Sequence, residues 1–109
     1  MSEREIVIFR KWRDGGEVIA LFPCEPTEIL NRYCSCYQHI GQHGEADLPL
    51  VIARTVPATP REYRELAKEL RRIGYKLDIR KRSPGIGYLK RERARRNMEM
   101  CRAMEKGKL

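Results

Sequence analysis

The stretch TPREYRELAKELRRIG, residues 59–74, carries the clearest structural signal in the chain. Thr59 is a typical N-cap, Pro60 suits the first helical position, and Glu62 completes a capping box. Gly74 stands where a glycine commonly ends a helix with a positive φ. The stretch therefore predicts a helix over residues 60–73 with one buried face. That face comprises Tyr63, Leu66, Ala67, Leu70 and Ile73.

Strands are predicted on both sides of this helix. Downstream, YKLDIRKR (75–82) alternates apolar and polar residues, which indicates a strand with Tyr75, Leu77 and Ile79 facing inward. Upstream, LPLVIARTV (48–56) also predicts a strand. We expect that strand to begin after Pro49, because proline cannot donate a hydrogen bond to its neighbour.

The N-terminal part predicts an antiparallel hairpin. EIVIFRKW (5–12) and EVIALFP (17–23) are rich in β-branched and aromatic residues, which favours strands. Between them, an Asp-Gly-Gly sequence supplies the positive φ angles that a tight turn needs.

The stretch YCSCYQHIGQHGEAD (33–47) holds both histidines and two of the four cysteines. Residues 33–39 alternate as a strand does, and a helix over 28–38 is the alternative. The glycines that follow predict a turn or long loop over residues 40–47.

Two chemical interpretations of this stretch are weighed first. Zinc would accept the thiolates of Cys34 and Cys36 together with the imidazoles of His39 and His43. All four ligands lie within ten residues, however, and strand alternation points the cysteines away from His39. We therefore predict no metal site. A Cys–His nucleophilic pair is the second interpretation, but no protease signature accompanies it, so no catalytic residue is predicted.

A partner-binding loop is the third interpretation, because loops carry function disproportionately. The alternative is an ordered loop whose polar groups cap the neighbouring strands. The candidate partner-binding residues are Gln38, His39, Gln42, His43 and Asp47.

The net charge of +8 is concentrated near the C-terminus. Residues 1–75 hold 11 Lys/Arg and 11 Asp/Glu, whereas residues 76–109 hold 12 Lys/Arg and 4 Asp/Glu. This asymmetry predicts a neutral folded body with a basic segment directed at a polyanion.

That basic segment begins with SPGIG (83–87), which predicts a hinge, and a helix is expected over residues 88–105. Basic residues surround the first two turns of this helix. Phosphates favour such a surface, because each neutralised charge releases a condensed counterion and arginine adds bidentate geometry. The weak apolar face of the helix comprises Ala94, Met98, Cys101 and Met104. The candidate nucleic-acid-binding residues are Arg80, Lys81, Arg82, Lys90, Arg91, Arg93, Arg95 and Arg96.

Together these patterns predict an α+β fold, with an antiparallel sheet of four to five strands packed on one helix, plus a basic C-terminal helix. With 109 residues, the chain can bury one modest core. We expect residues 1–82 to form a compact domain and residues 83–109 to form the hinge and helix.

Localisation is predicted from the apolar runs and the cysteines. No apolar run approaches the roughly 20 residues that span a bilayer, and the acids before the first apolar stretch are atypical of a signal peptide. Without a secretory signal, the four cysteines are expected to be reduced thiols. We expect a cytoplasmic protein that does not associate with membranes.

Several segments also resemble a group of short uncharacterised bacterial and phage-borne proteins. The matching segments are FRKWRDGG (9–16), ALFP (20–23), YQHIGQHGEAD (37–47) and RTVPATPREYRELAKELRRIGYKLDIRKR (54–82). The resemblance implies no catalytic or ligand-binding role. It does imply that the basic segment beyond residue 82 is an addition to a compact module.

We therefore expect a small non-enzymatic accessory or regulatory protein that needs no cofactor. It would bind nucleic acid or a nucleoprotein complex through its basic C-terminal segment. The alternative is a protein-interaction module, an inhibitor or adaptor, that holds an acidic protein partner through the sheet and the 38–47 loop. In that case the basic segment would contribute electrostatic steering.

Overall fold

A computed structural model describes residues 4–26, 33–38 and 42–107 and has the predicted α+β fold. Within these residues, no helix is both long and apolar enough to cross a membrane. The elements in chain order are β1 (Glu5–Trp12), β2 (Val18–Pro26), β3 (Tyr33–Gln38), β4 (Gln42–Asp47), α1 (Leu48–Arg54), β5 (Thr55–Pro57), α2 (Pro60–Ile73), β6 (Leu77–Arg80) and α3 (Ile86–Gly107).

The sheet is antiparallel except at one strand, and β1 is its central element. The order is β4-β3-β2-β1, and the remaining edge of β1 is shared by two strands. Strand β5 pairs antiparallel with residues 10–12 of β1, whereas β6 pairs parallel with residues 5–8. The N-terminal hairpin is confirmed, with Gly15 and Gly16 in its turn at φ +87° and +71°.

Helices cover both faces of the sheet. Successive residues of β1 point to opposite faces, so β1 contributes side chains to the core on each side. Val7 and Phe9 face α2, where they join a cluster with Leu66 and Leu70. On the other face, Ile6 and Ile8 join a cluster that includes residues of α1 and α3. The prediction placed a helix on one face only.

Helix α2 spans the predicted residues, and both signals at its ends are present. The Thr59 hydroxyl accepts from the Glu62 amide, and the Glu62 carboxylate accepts from the Thr59 amide at 2.9 Å. Gly74 ends the helix at φ +125°. One predicted core residue is wrong, since Ile73 is 51% exposed. It lies at the rim of the buried face, and Tyr75 instead closes the core by stacking on Phe22 at 4.9 Å.

The predicted strand at residues 48–56 is wrong over most of its length, because residues 48–54 form α1. The Asp47 carboxylate accepts a hydrogen bond from the Leu50 amide at 3.3 Å and caps the helix. A proline in the first turn costs a helix nothing, because amides there have no helical partner. Only Thr55–Pro57 remains as a strand.

The predicted loop over residues 40–47 is also wrong where the structure describes it, because residues 42–47 form β4. Six residue pairs join this strand to β3, from Tyr33 opposite Asp47 to Gln38 opposite Gln42. Pairing along this ladder overrides the weak strand preference of its glycine and acids. The strand interpretation holds for residues 33–38, and the alternative helix does not.

Helix α3 contacts the sheet through a face that the sequence analysis did not predict. Leu89 and Arg93 are buried against the sheet. The predicted apolar residues Ala94, Met98 and Cys101 are exposed instead, and the side chain of Met104 lies outside the described part. The division between a compact domain at 1–82 and an appended segment stays a prediction.

Candidate nucleic-acid interface

The basic cluster predicted on α3 is largely engaged within the protein. Arg93 is only 3% exposed, and its Nε donates to the Pro23 carbonyl at 2.9 Å. A buried guanidinium cannot reach a phosphate in solution without leaving this site. The expectation that Arg93 contributes to an exposed cluster is therefore wrong.

Arg95 and Arg96 are held by carboxylates. Arg95 pairs with Glu92 and, at 2.5 Å, with Glu99. Arg96 bonds Glu92 through Nε and reaches both carboxylate oxygens of Glu5 on β1, each at 3.0 Å. Hydrogen bonds from Arg95 and then Arg96 lower the pKa of Glu92. Two more predicted phosphate ligands are thus already neutralised by acids.

The other predicted basic residues are exposed, on α3 and at the end of β6. Lys90 and Arg91 lie on α3, on the face of the sheet opposite α2. Arg80 and Lys81 lie at the end of β6, with Arg82 next to them, and Arg80 bonds Asp78 at 3.0 Å. The Arg80 side chain points to the α3 side of the sheet, because its strand partner Ile8 faces that side while Ile79 faces α2. The structure therefore does not bring the eight predicted residues together in one patch.

Helix α2 carries a second basic cluster that the sequence analysis missed. Its members recur at helical spacing, so they share one exposed side of the helix. Two acids of α2 lie on the other flank, where Glu62 pairs with Lys11 at 2.5 Å and Glu69 accepts from the Tyr37 hydroxyl at 2.6 Å. The third acid, Glu65, is exposed and lies 3.9 Å from Lys68. The members of the basic cluster are Arg61, Arg64, Lys68, Arg71 and Arg72.

The sequence contains the pattern that predicts this cluster, but a sum of charges over residues 1–75 does not show it. The acids of α2, together with those elsewhere in residues 1–75, cancel its charge in the total over that range. Reading the charges at a period of 3.6 residues would have separated the two flanks.

Three adjoining grooves join the basic side of α2 to β6 and the residues around it. The groove along α2 has a volume of about 530 Å³ and shares Tyr63 and Ile79 with a smaller pocket, and Arg71 with a third groove. We call this surface the α2–β6 basic groove. Among the described residues that line it, none is acidic. Its basic residues are Arg4, Arg61, Arg64, Lys68, Arg71, Lys76, Arg80 and Lys81.

The cysteine–histidine stretch does not form a reactive site in the described residues. Cys34 and Cys36 are buried on the α3 side of the sheet, whereas the His43 ring contacts Tyr37 on the α2 side at 4.6 Å. Burial raises the pKa of Cys34 to about 12, which keeps it a thiol at neutral pH. Across the described ranges, no three His, Cys, Asp or Glu residues are grouped as a metal site requires.

The predicted partner-binding residues are placed as follows. Gln38 ends β3, while Gln42 and His43 begin β4, and Asp47 caps α1. His39 lies outside the described residues. The described members therefore belong to a regular hairpin and a helix cap rather than to a loop.

Comparison with known proteins gives no independent assignment, since no family model, curated protein or solved structure matches this chain.

Proposed function

We propose that this protein is a small non-enzymatic accessory or regulatory protein that binds nucleic acid through the α2–β6 basic groove. The observation that carries the proposal is the composition of the groove, with eight basic and no acidic residues among its described lining. Two of the eight have a carboxylate nearby, since Arg80 pairs with Asp78 at 3.0 Å and Lys68 lies 3.9 Å from Glu65. Such a surface attracts a polyanion, and each phosphate that it neutralises releases condensed counterions. Arginine predominates in the groove, and its guanidinium can hold a phosphate in bidentate fashion.

The spacing of the cations suits a phosphate backbone. Arg64, Lys68 and Arg71 follow one side of α2. At about 1.5 Å per helical residue, they span about 10 Å. A row of this length can contact more than one phosphate of the same strand. Lys81 extends the surface beyond the helix.

Helix α3 offers less for this purpose than its composition suggests. Arg93 is buried, and Arg95 and Arg96 are paired with carboxylates. Lys90 and Arg91 remain exposed on the far side of the sheet. We therefore retain nucleic-acid binding as the function and transfer its main surface from α3 to α2 and β6.

The test is a fluorescence-anisotropy titration of mixed-sequence DNA and RNA at several salt concentrations. The groove variant is Arg64→Gln with Arg71→Gln. If both side chains contact phosphates, each substitution reduces the log–log salt slope by about 0.7 to 0.9. Because phosphate contacts position without specifying, all sequences should weaken alike.

The matched control is Lys90→Gln with Arg91→Gln, which removes the same formal charge from α3. We expect its salt slope to stay close to that of the unsubstituted protein. A salt slope that is reduced in the α3 variant but not in the groove variant would show that the interface lies on α3. Affinity weaker than about 0.1 mM at low salt, for both DNA and RNA, would reject nucleic-acid binding.

A protein-interaction module is the second candidate function, because β4 is the terminal strand of the sheet. An edge strand presents backbone groups to which a strand of another protein can add. The exposed residues His43 and Glu45 lie on β4. A purified partner that stays bound after nuclease treatment, and is lost in a His43→Asp, Glu45→Lys variant, would support this function.

A further inference from the structure

The smallest of the three grooves is an apolar pocket at the start of α2. It forms where the partner of β1 changes from β5 to β6, because Arg10 is opposite Pro57 while Ile8 is opposite Arg80. Phe9 lies between these two pairings, and its carbonyl accepts from the Ala58 amide at 3.1 Å. The pocket lies beside Phe9, between Pro57 of one edge strand and Ile79 of the other.

The size of this pocket fits one planar ring. Its volume is about 160 Å³, well below the range of roughly 300–1,000 Å³ that is typical of sites for drug-sized ligands. An apolar protein cavity of about 150 Å³ holds a benzene ring. Its apolar lining residues are Phe9, Pro57, Ala58, Pro60, Tyr63 and Ile79.

Two stacked aromatic rings form one wall of the pocket. The rings of Phe9 and Tyr63 lie 4.4 Å apart between centroids, with an angle of 12° between their planes. Phe9 is 3% exposed and fixes the orientation of Tyr63, which is half-buried. Every nucleobase has a flat face that stacks on such a ring without regard to sequence.

Basic residues stand on both sides of this apolar wall. Lys81 lines the pocket itself, and Arg61 and Arg64 line the neighbouring groove, which also contains Tyr63. The backbone of Arg80 lies at the pocket, but its side chain points to the α3 side of the sheet with Ile8. A base that enters the pocket brings its own phosphates with it, one on each side. The apolar pocket and its charged surroundings therefore match a nucleotide within a strand better than a neutral ring alone.

We propose that this pocket holds one unpaired nucleobase of a single-stranded DNA or RNA whose phosphates follow the α2–β6 basic groove. This inference rests on the proposed function and adds the form of nucleic acid. A base within a duplex is stacked and paired, and extruding it costs a few kcal/mol. The protein should therefore prefer single strands to duplexes of the same length.

The experiment measures the affinity of the full chain for four labelled probes. These are oligothymidylate, oligouridylate, an abasic oligodeoxynucleotide of the same length, and a duplex. Base stacking predicts that the better of the two intact single strands binds about 5- to 100-fold more tightly than the abasic strand. The thymidylate and uridylate probes show whether DNA or RNA is preferred.

Substitutions at the pocket test the base contact separately from the phosphate contacts. Tyr63→Leu should abolish the preference for the intact strand over the abasic strand, while the salt slope for the abasic strand is unchanged. Tyr63→Phe keeps the ring and should retain the preference. Ala58→Leu fills the pocket and leaves Phe9 and Tyr63 unsubstituted, so it provides a second test if Tyr63→Leu fails to fold.

The outcomes separate this inference from the proposed function. One outcome is that the intact and abasic strands bind with equal affinity while Arg64→Gln and Arg71→Gln still reduce the salt slope. That result would reject the base pocket and support phosphate binding in the α2–β6 basic groove. A preference for bases that survives both Tyr63→Leu and Ala58→Leu would also reject the pocket. Affinity weaker than about 0.1 mM for every probe at low salt would reject both.

Discussion

The guanidinium of Arg96 lies 3.0 Å from both carboxylate oxygens of Glu5, so an ion pair joins the last helix to the first strand across 91 positions of sequence. Both side chains are largely buried, at 23% and 20% exposure. Partly buried pairs are screened less by solvent than surface pairs. We infer that this pair helps to hold α3 against the sheet.

A double-mutant cycle of Glu5→Gln and Arg96→Gln should therefore give a measurable coupling energy, of about 0.5 to 3 kcal/mol. The matched control is the exposed pair of Arg95 and Glu99 on α3, for which about 0.3 to 0.5 kcal/mol is expected. Urea denaturation of the single and double variants provides the free energies of unfolding. A coupling for the long-range pair no larger than that of the control would show that it does not stabilise the docking of α3.

Leu70→Ala should destabilise the protein by about 2 to 5 kcal/mol, because it removes a large side chain from a closed site. Leu70 has no exposed surface and lies in the cluster between α2 and the sheet. The control on the same helix is Ile73→Ala, which should change the free energy of unfolding little, because Ile73 is exposed. Equal shifts of the urea midpoint in the two variants would contradict the placement of Leu70 in the core.

Local signals explain why α2 could be predicted to the residue. Thr59, Glu62 and Gly74 determine the ends of the helix through contacts within a few positions. The N-terminal hairpin is similar, because Gly15 and Gly16 provide the turn. Such contacts can be read without knowledge of the tertiary structure.

The region around Asp47 could not be predicted in the same way. The short apolar run that follows it suits either a strand or a buried helix, and we chose the strand. In the structure, Asp47 both ends β4, opposite Tyr33, and caps α1. Its Asp-Leu-Pro sequence does contain the helix signal, which is an N-cap followed by proline in the first turn.

The candidate site was predicted only in part, for two different reasons. The exposure of Arg80 and Lys81 could be predicted because they lie at the end of a predicted strand. The basic side of α2 could be predicted from the spacing of its charges along the helix. The burial of Arg93 could not be predicted, because the carbonyl to which its side chain donates lies 70 positions away in sequence. Charge composition alone therefore overstated the basic surface of α3.

The stability of the protein should depend on the ionisation of Glu25. Burial raises the pKa of this carboxyl, and the nearby Glu5 carboxylate adds to the effect, while Arg96 and His43 oppose it. Its Oε2 is buried without a hydrogen-bond partner in the described part of the chain. Because the folded pKa lies above the unfolded value of about 4.3, the stabilising contribution is complete below that value. It is lost as the pH rises through the folded pKa.

Glu25→Gln stays uncharged at every pH, so it should gain stability relative to the unsubstituted protein as the pH rises from about 4 towards neutrality. Urea denaturation at a series of pH values measures this difference. Glu45→Gln, at an exposed position of β4, is the control for loss of one carboxylate. A difference between Glu25→Gln and the unsubstituted protein that does not vary with pH would contradict the burial of an ionisable carboxyl at this position.

Substitution of Arg93 should affect stability rather than nucleic-acid binding. Arg93→Ala removes the donor to the Pro23 carbonyl, and an unsatisfied buried acceptor costs about 1 to 3 kcal/mol. The two terminal nitrogens of Arg93 have no hydrogen-bond partner among the described residues. Both Arg93→Ala and Arg93→Met remove the buried charge, but Arg93→Met keeps the packing of the side-chain stem, so it should be the more stable variant.

The control for Arg93 is Arg91→Ala, two residues away on an exposed position, which should change the free energy of unfolding by less than about 0.5 kcal/mol. Urea denaturation gives the stabilities, and anisotropy titrations at several salt concentrations give the salt slopes. Because Arg93 is closed off from solvent, Arg93→Ala should leave the slope unchanged wherever the variant is folded. A slope reduced by about 0.9 with no loss of stability would instead identify Arg93 as a phosphate ligand and require α3 to leave the sheet on binding.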